Sequence, residues 1–262
     1  MPAGTRAVLD ARSLAASHRR LAELLRPGLA VLDVGCGTGA ITRGVAEAAG
    51  PTGRVVGVDT NAPFIEQARR AHAGVPGLAF EVGDAYALPF DAAFDIVTAA
   101  RVLQWLADPV RALRAMVRAV RPGGSVVVLD FNHAKIAWTP APPASMRRFY
   151  AAFLAWRAAA GLDNAIADRL PALFEEAGLA DIIATPQHEV ARRGDPGFET
   201  LVAVWTHVAA TRGRQMVADG VFTERERATA EAEYRDWTGN GAKSHAQYLL
   251  AVEGVRYTSG SL

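Results

Sequence analysis

Cysteine is nearly absent from this chain. One residue, Cys36, in 262 excludes an internal disulfide and any metal site built from several thiolates. No apolar run approaches the length that spans a bilayer, and the start, Met1 to Arg6, has no basic region followed by an apolar segment. The expectation is a soluble, cytoplasmic protein with no membrane span. An excess of charge is missing too: the net charge is +1 with both signs dispersed, so nothing global calls for nucleic acid or an anionic surface. Repeats, low-complexity tracts and metal-ligand spacings are likewise missing, so no metal is expected. What remains is a chain 50% apolar, long enough for one α/β domain with insertions, acting on a small molecule as a monomer or homodimer.

The stretch from Ala30 to Thr42, A-V-L-D-V-G-C-G-T-G-A-I-T, organises the rest. Val31, Leu32 and Val34 read as a buried strand carrying Asp33. Gly35, Gly37 and Gly39 then let the backbone bend sharply and approach a ligand, and a helix pattern follows. Gly35, Gly37 and Ala40 fit the dinucleotide spacing G-x-G-x-x-G/A, so a nicotinamide-dependent oxidoreductase is one reading. A second apolar strand, Val55 to Val58, ends in Asp59, with Thr60 and Asn61 as helix-cap candidates. An acid there can take both ribose hydroxyls or simply cap a helix.

Three further landmarks follow in order. Leu78 to Val82 runs into Gly83-Asp84-Ala85 and Leu88-Pro89-Phe90; Phe94 to Ala99 leads to Arg101; and Arg121-Pro122-Gly123-Gly124 enters an apolar strand from Ser125 to Phe131. Together with Asp33 and the third glycine, these pieces resemble class I S-adenosylmethionine-dependent methyltransferases, close to the ubiquinone/menaquinone-type C-methyltransferase branch, over about 40% of the chain. The resemblance implies a Rossmann-like α/β fold: a seven-stranded, mostly parallel sheet with an antiparallel last strand, helices on both faces and helical insertions over the site. It implies S-adenosylmethionine as cofactor and S-adenosylhomocysteine as product. Asp33, Gly35, Cys36, Gly37 and Gly39 would then hold the amino-acid part, Asp59 and Thr60 the ribose, and Asp84 and Ala85 the adenine. Many members carry histidine where this chain has Arg101, which is left to the methionine carboxylate, an acidic substrate or a surface ion pair. A non-catalytic binder of the same cofactor is the third reading.

The flanking chain is less specific. Leu14, His18, Leu21 and Leu25 predict one amphipathic leading helix. Asp108-Pro109 opens a helix with Val110, Leu113, Val117 and Val120 on its apolar face and a basic stripe of Arg111, Arg114, Arg118 and Arg121 on its solvated one. Asn132 to Ala144 is read as a proline-rich connection, followed by an aromatic helix with Phe149 and Phe153. These two residues and Trp138 are candidate walls of an acceptor pocket, and His133 is the candidate general base. A helix from Pro171 to Gly178, a sixth strand from Ile182 to Val190, one helix from Phe198 through Val208, a Thr223/Glu226 capping box and a closing strand from Gln247 to Val255 complete the expectation. The domain plan is one methyltransferase domain over 1–262. It has a cofactor core at 27–132, a lid insertion at 133–160, a helical insertion at 196–240 and the closing strand at 247–255. The activity expected is methyl transfer to a small apolar or aromatic acceptor.

Overall fold

The computed structural model describes residues 9–10 and 12–257. They divide into two compact units, one of residues 9–130, 166–187 and 249 onward, the other of 131–165 and 188–248. The long strands β5 (Val120–Thr139) and β8 (Ser244–Val255) contribute residues to both.

The first unit is built on β1 (Ala30–Val34), β2 (Arg54–Asp59), β3 (Leu78–Val82) and β4 (Phe94–Ala100), which pair in parallel with each other and with β5. Side chains alternate across the sheet. Val31, Val55, Ile96 and Val127 meet Ile41, Val45 and Ala49 of α3 (Ala40–Ala49) on one face. Leu32, Val56, Val97 and Val128 meet Leu113 and Met116 of α5 (Pro109–Ala119) and Leu170 and Phe174 of α7 (Ile166–Glu176) on the other. Both faces are covered, which is why the strands read as unbroken apolar runs. Asp33 falls on the α3 face at the end of the central strand.

The strand order is β3-β2-β1-β4-β5-β8-β6, with β6 (Ala180–Pro186) antiparallel to β8. These seven strands are the expected ones. An eighth, β7 (Glu189–Arg192), pairs antiparallel with the start of β8. The expected sixth strand, Ile182 to Val190, is therefore two strands. The break follows Pro186, and the buried Gln187 beyond it accepts the Arg20 N–H on its Oε1 at 3.0 Å.

Other boundaries also move. The leading helix is two, α1 (Leu14–Ser17) and α2 (Arg19–Leu24), because His18 between them has φ −152° and ψ 62°. The connection expected from Asn132 continues β5 as far as Thr139, since the prolines that prevent ladder bonding begin only at Pro140. The buried face of α5 is centred on Ala112, Ala115, Met116 and Ala119, with Leu113, about a residue away from the predicted stripe. Its arginines find structural partners: Arg121 pairs with Asp95 at 2.7 Å and Arg118 donates to the Leu88 carbonyl at 3.0 Å.

The second unit is mostly helical: α6 (Ala144–Ala159), α8 (Phe198–Val202), α9 (Val204–Ala218) and α10 (Glu224–Asn240). The single helix expected over Phe198 to Val208 is interrupted at Ala203. The capping box forms as read, with Thr223 and Glu226 satisfying each other's backbone N–H. The core is aromatic, with Phe149, Tyr150 and Phe153 of α6, Trp205 of α9 and Tyr234 of α10. Among the described residues no helix is long and apolar enough to cross a membrane.

Candidate cofactor site

The site lies in the first unit, at the carboxyl ends of the parallel strands. Gly35, Gly37 and Gly39 have φ of 74°, 57° and 80°, a region that side-chain-bearing residues avoid. Two of them are also required by space. A Cβ on Gly35 would sit 2.4 Å from Val102 Cγ2, and one on Gly39 2.6 Å from Phe80 Cζ. The loop is pinned to β2 by its amides: Gly35 and Cys36 both donate to the Val58 carbonyl, at 2.7 and 3.0 Å.

Asp59 is the second anchor. Its Oδ2 accepts the Gly37 N–H at 2.9 Å and its Oδ1 the Asn61 N–H at 2.8 Å. One oxygen thus ties the glycine loop while the other orders the start of α4 (Ala62–Ala71), where Asn61 is the cap. Each oxygen keeps a second lone pair for a ligand hydroxyl. Thr60 is exposed and takes no part in this network. The Gly83 N–H donates to the Asp59 carbonyl at 3.1 Å, bringing the Asp84 turn alongside. Asp84 is exposed and accepts the Tyr86 N–H at 2.9 Å, and Ala85 is half-buried.

Asp33 is buried, with Thr42 Oγ1 donating to its Oδ2 at 2.6 Å. Burial pushes its pKa up to about 7, and the charge of Asp59 adds to the rise, outweighing the Thr42 hydrogen bond. A cleft opens here, walled by Asp33, Gly35, Cys36 and Thr38 below and by Leu9 and Arg12 of the leading segment. Thr38, Leu9 and Arg12 were not anticipated. Thr38 sits between two loop glycines, and its buried hydroxyl has no hydrogen-bond partner among the described residues. An unpaired buried hydroxyl in a cleft wall fits a polar ligand group better than a sealed core. Burial pushes the Cys36 thiol upward, which suits a small packing residue rather than a nucleophile.

Arg101 is buried at the end of β4 with φ 62°, and its guanidinium donates to the Ser17 carbonyl at 3.1 Å. It is therefore no surface residue, and it is not among the residues lining the cleft. His18 lies beside it. Thr98 Oγ1 gives its one proton to the Val127 carbonyl, so His18 Nε2, 3.3 Å away, is the donor of that pair. Burial, with Arg101, lowers the His18 pKa to about 3.

The remaining candidates belong to the second unit. The His133 ring stacks on Phe131 at 5.3 Å and meets Phe153 and Trp205 edge-on at 6.0 and 6.3 Å. Burial, with Arg157, lowers its pKa to about 3, so the ring is neutral and a weaker base than an ordinary imidazole. We expect His133→Phe to leave turnover within about twofold of wild type in a methyl-transfer assay, as an apolar exchange in an aromatic contact. A loss of a hundredfold or more, with cofactor binding retained, would restore the base. Phe149 and Phe153 are buried in the aromatic core, while Trp138 is half-buried, its Nε1 donating to Tyr234 Oη at 3.0 Å.

Residues 32–128, β1 through the middle of β5, match the family model described as a methyltransferase domain. This stretch, 97 of the 262 residues, is similar in sequence to methyltransferase domains. The chain also has curated relatives. It is 43% identical over 112 residues to the ubiquinone/menaquinone biosynthesis C-methyltransferase UbiE of Ectopseudomonas mendocina, covering 41% of this chain and 44% of that protein. An uncharacterised 37.1 kDa protein in transposon Tn4556 of Streptomyces fradiae is 43% identical over 104 residues, 39% of this chain and 30% of that one. The chain thus matches less than half the length of either relative. In fold it is similar to the YcgJ protein of Bacillus subtilis, with TM-score 0.58 and 20% identity, over 92% of this chain and 100% of that one.

Proposed function

We propose that this protein transfers a methyl group from S-adenosylmethionine to a small apolar or aromatic acceptor. The observation that carries the reading is the cleft lined by buried Asp33 and by Gly35, Cys36 and Thr38 of a glycine loop tethered through Asp59. In this reading Asp33, Thr38 and the loop from Gly35 to Gly39 hold the charged amino-acid end of the cofactor. Asp59 takes the ribose hydroxyls, and Asp84 with the Ala85 N–H takes the adenine. Bound S-adenosylmethionine would supply a methyl already joined to its leaving group, so the chain has chiefly to orient the acceptor and exclude water. In this reading the aromatic residues of the helical unit contribute to acceptor recognition. The printed name of the UbiE relative, ubiquinone/menaquinone biosynthesis, favours an apolar ring as acceptor.

The nicotinamide reading rests on Gly35, Gly37 and Ala40 alone. The dinucleotide fold continues its parallel sheet 3-2-1-4-5-6, whereas here antiparallel β8 separates β5 from β6. Calorimetric titration with S-adenosylmethionine, S-adenosylhomocysteine and NAD tests the assignment. Micromolar binding of the first two and no heat with NAD is the expected result. Binding of NAD alone would overturn it.

A further inference from the structure

Thr38 lines the cofactor cleft between two residues that do little to fix it. Gly37 and Gly39 on either side have φ of 57° and 80°, and glycine is the residue whose backbone is least restricted by its own sterics. A hydroxyl carried between them keeps one direction only if something outside the loop holds its peptide. The planar peptide joining Thr38 to Gly39 is held at both edges. The Gly39 N–H donates to the Cys36 carbonyl at 3.0 Å, within the loop. The Thr38 carbonyl lies 3.3 Å from His72 Nε2, and because a carbonyl only accepts, Nε2 carries the proton and donates.

His72 is fixed from its own side. It closes α4, with its backbone N–H given to the Ala68 carbonyl at 3.0 Å and its carbonyl accepting the Val75 N–H at 3.1 Å. Its ring lies 5.8 Å from that of Phe80, tilted by 38°, and the loop rests against both. A Cβ on Gly39 would come within 3.1 Å of His72 Cδ2 as well as meeting Phe80, and one on Gly57 would stand 2.8 Å from Phe80 Cδ1. Phe80 is packed in turn with Ile65, Ala68 and Cys36. Asp59 thus accepts the Gly37 N–H while His72 donates to the Thr38 carbonyl. Between these two tethers the Thr38 hydroxyl is buried with no partner among the described residues.

We propose that His72 is a positioning residue for cofactor binding: through the peptide joining Thr38 to Gly39 it fixes the Thr38 hydroxyl for the charged amino-acid end of the cofactor. It acts through Thr38 and not by touching the cofactor. The hydroxyl donates to the cofactor carboxylate, a charge-assisted bond that a loosely held peptide would have to be ordered to make. The inference rests on the methyl-transfer reading and adds to it the residue that orders one of its contacts.

The test is calorimetric titration with S-adenosylhomocysteine, which carries the same amino-acid end, alongside melting temperatures of the same samples. His72→Phe keeps a ring against Phe80 and removes the donor. Affinity should fall about fivefold to tenfold, the size of one hydrogen bond, with the melting temperature close to wild type. His72→Gln returns an amide donor at a similar reach and should recover most of the lost affinity. A double-mutant cycle with Thr38→Val separates positioning from a general loosening. If His72 acts through the Thr38 hydroxyl, the double variant should bind little more weakly than Thr38→Val alone. Wild-type affinity in His72→Phe, no recovery in His72→Gln, or losses that add fully in the double variant would overturn the inference. So would losses in both His72 variants that follow a fall in melting temperature. Any of these results beside a wild type that binds S-adenosylhomocysteine removes His72 alone and leaves methyl transfer standing, whereas a wild type that does not bind it overturns both.

Discussion

Asp59→Ala is expected to weaken S-adenosylmethionine binding by about a hundredfold or more, measured as a calorimetric dissociation constant. Two effects add. In the proposed reading the carboxylate supplies charge-assisted acceptors for the ribose hydroxyls, and each such bond to a charged group contributes about 1.5–3 kcal/mol. The same carboxylate also holds the Gly37 N–H and the Asn61 N–H, so its removal loosens the loop that receives the amino-acid end. The second effect predicts a modest fall in melting temperature, about 2–4 °C per kcal/mol lost for a chain of this size. Asp59→Asn distinguishes the two. It keeps an acceptor for one backbone N–H and a shape close to the original, so stability should recover more than affinity. An Asp59→Ala protein that binds the cofactor as wild type does would take Asp59 out of the site and leave it a helix-start and loop tether.

How far the sequence led depends on which residues carried the signal. The cofactor half was legible because its strands are buried on both faces and end in residues with one physical use: three glycines at positive φ and an acid at the tip of β2. Thr38 was adjacent to that signal and unread, since a threonine between glycines shows its unpaired hydroxyl only once the loop is folded. The breaks at His18 and Ala203 were invisible because they interrupt a periodic pattern without a proline or glycine, whereas the one at Gln187 was marked by Pro186 before it and was read through. His133 drew attention as a histidine beyond a strand end, but its basicity is set by Phe131, Phe153, Trp205 and Arg157, which the sequence disperses over more than seventy positions.

Asp33 is expected to make both stability and, in the proposed reading, cofactor affinity depend on pH, in opposite directions. Its pKa rises from an ordinary 3.8 to about 7 in the fold, so between those values the native state holds a proton that the unfolded chain has released. Stability therefore falls as pH rises from about 4 to about 7, and above that the full penalty of a buried carboxylate is present. A shift of this size corresponds to about 4 kcal/mol at 1.36 kcal/mol per unit. Asp33→Asn keeps an oxygen for Thr42 and removes the charge. Its unfolding free energy, from urea titrations between pH 5 and 8, should lose this slope and exceed the wild type at pH 8. In the proposed reading a cofactor ammonium needs the ionised carboxylate, so binding would take the proton off Asp33. Affinity for S-adenosylmethionine should climb by up to tenfold per pH unit between about 5 and 6.5 and level off near 7. Titrations at pH 6 in buffers of different ionisation enthalpy should register the proton released. Asp33→Asn should bind weakly with no such pH dependence. A wild-type affinity that stays flat across this range, with no proton exchanged, would mean that Asp33 is already ionised in the fold or never meets the ammonium.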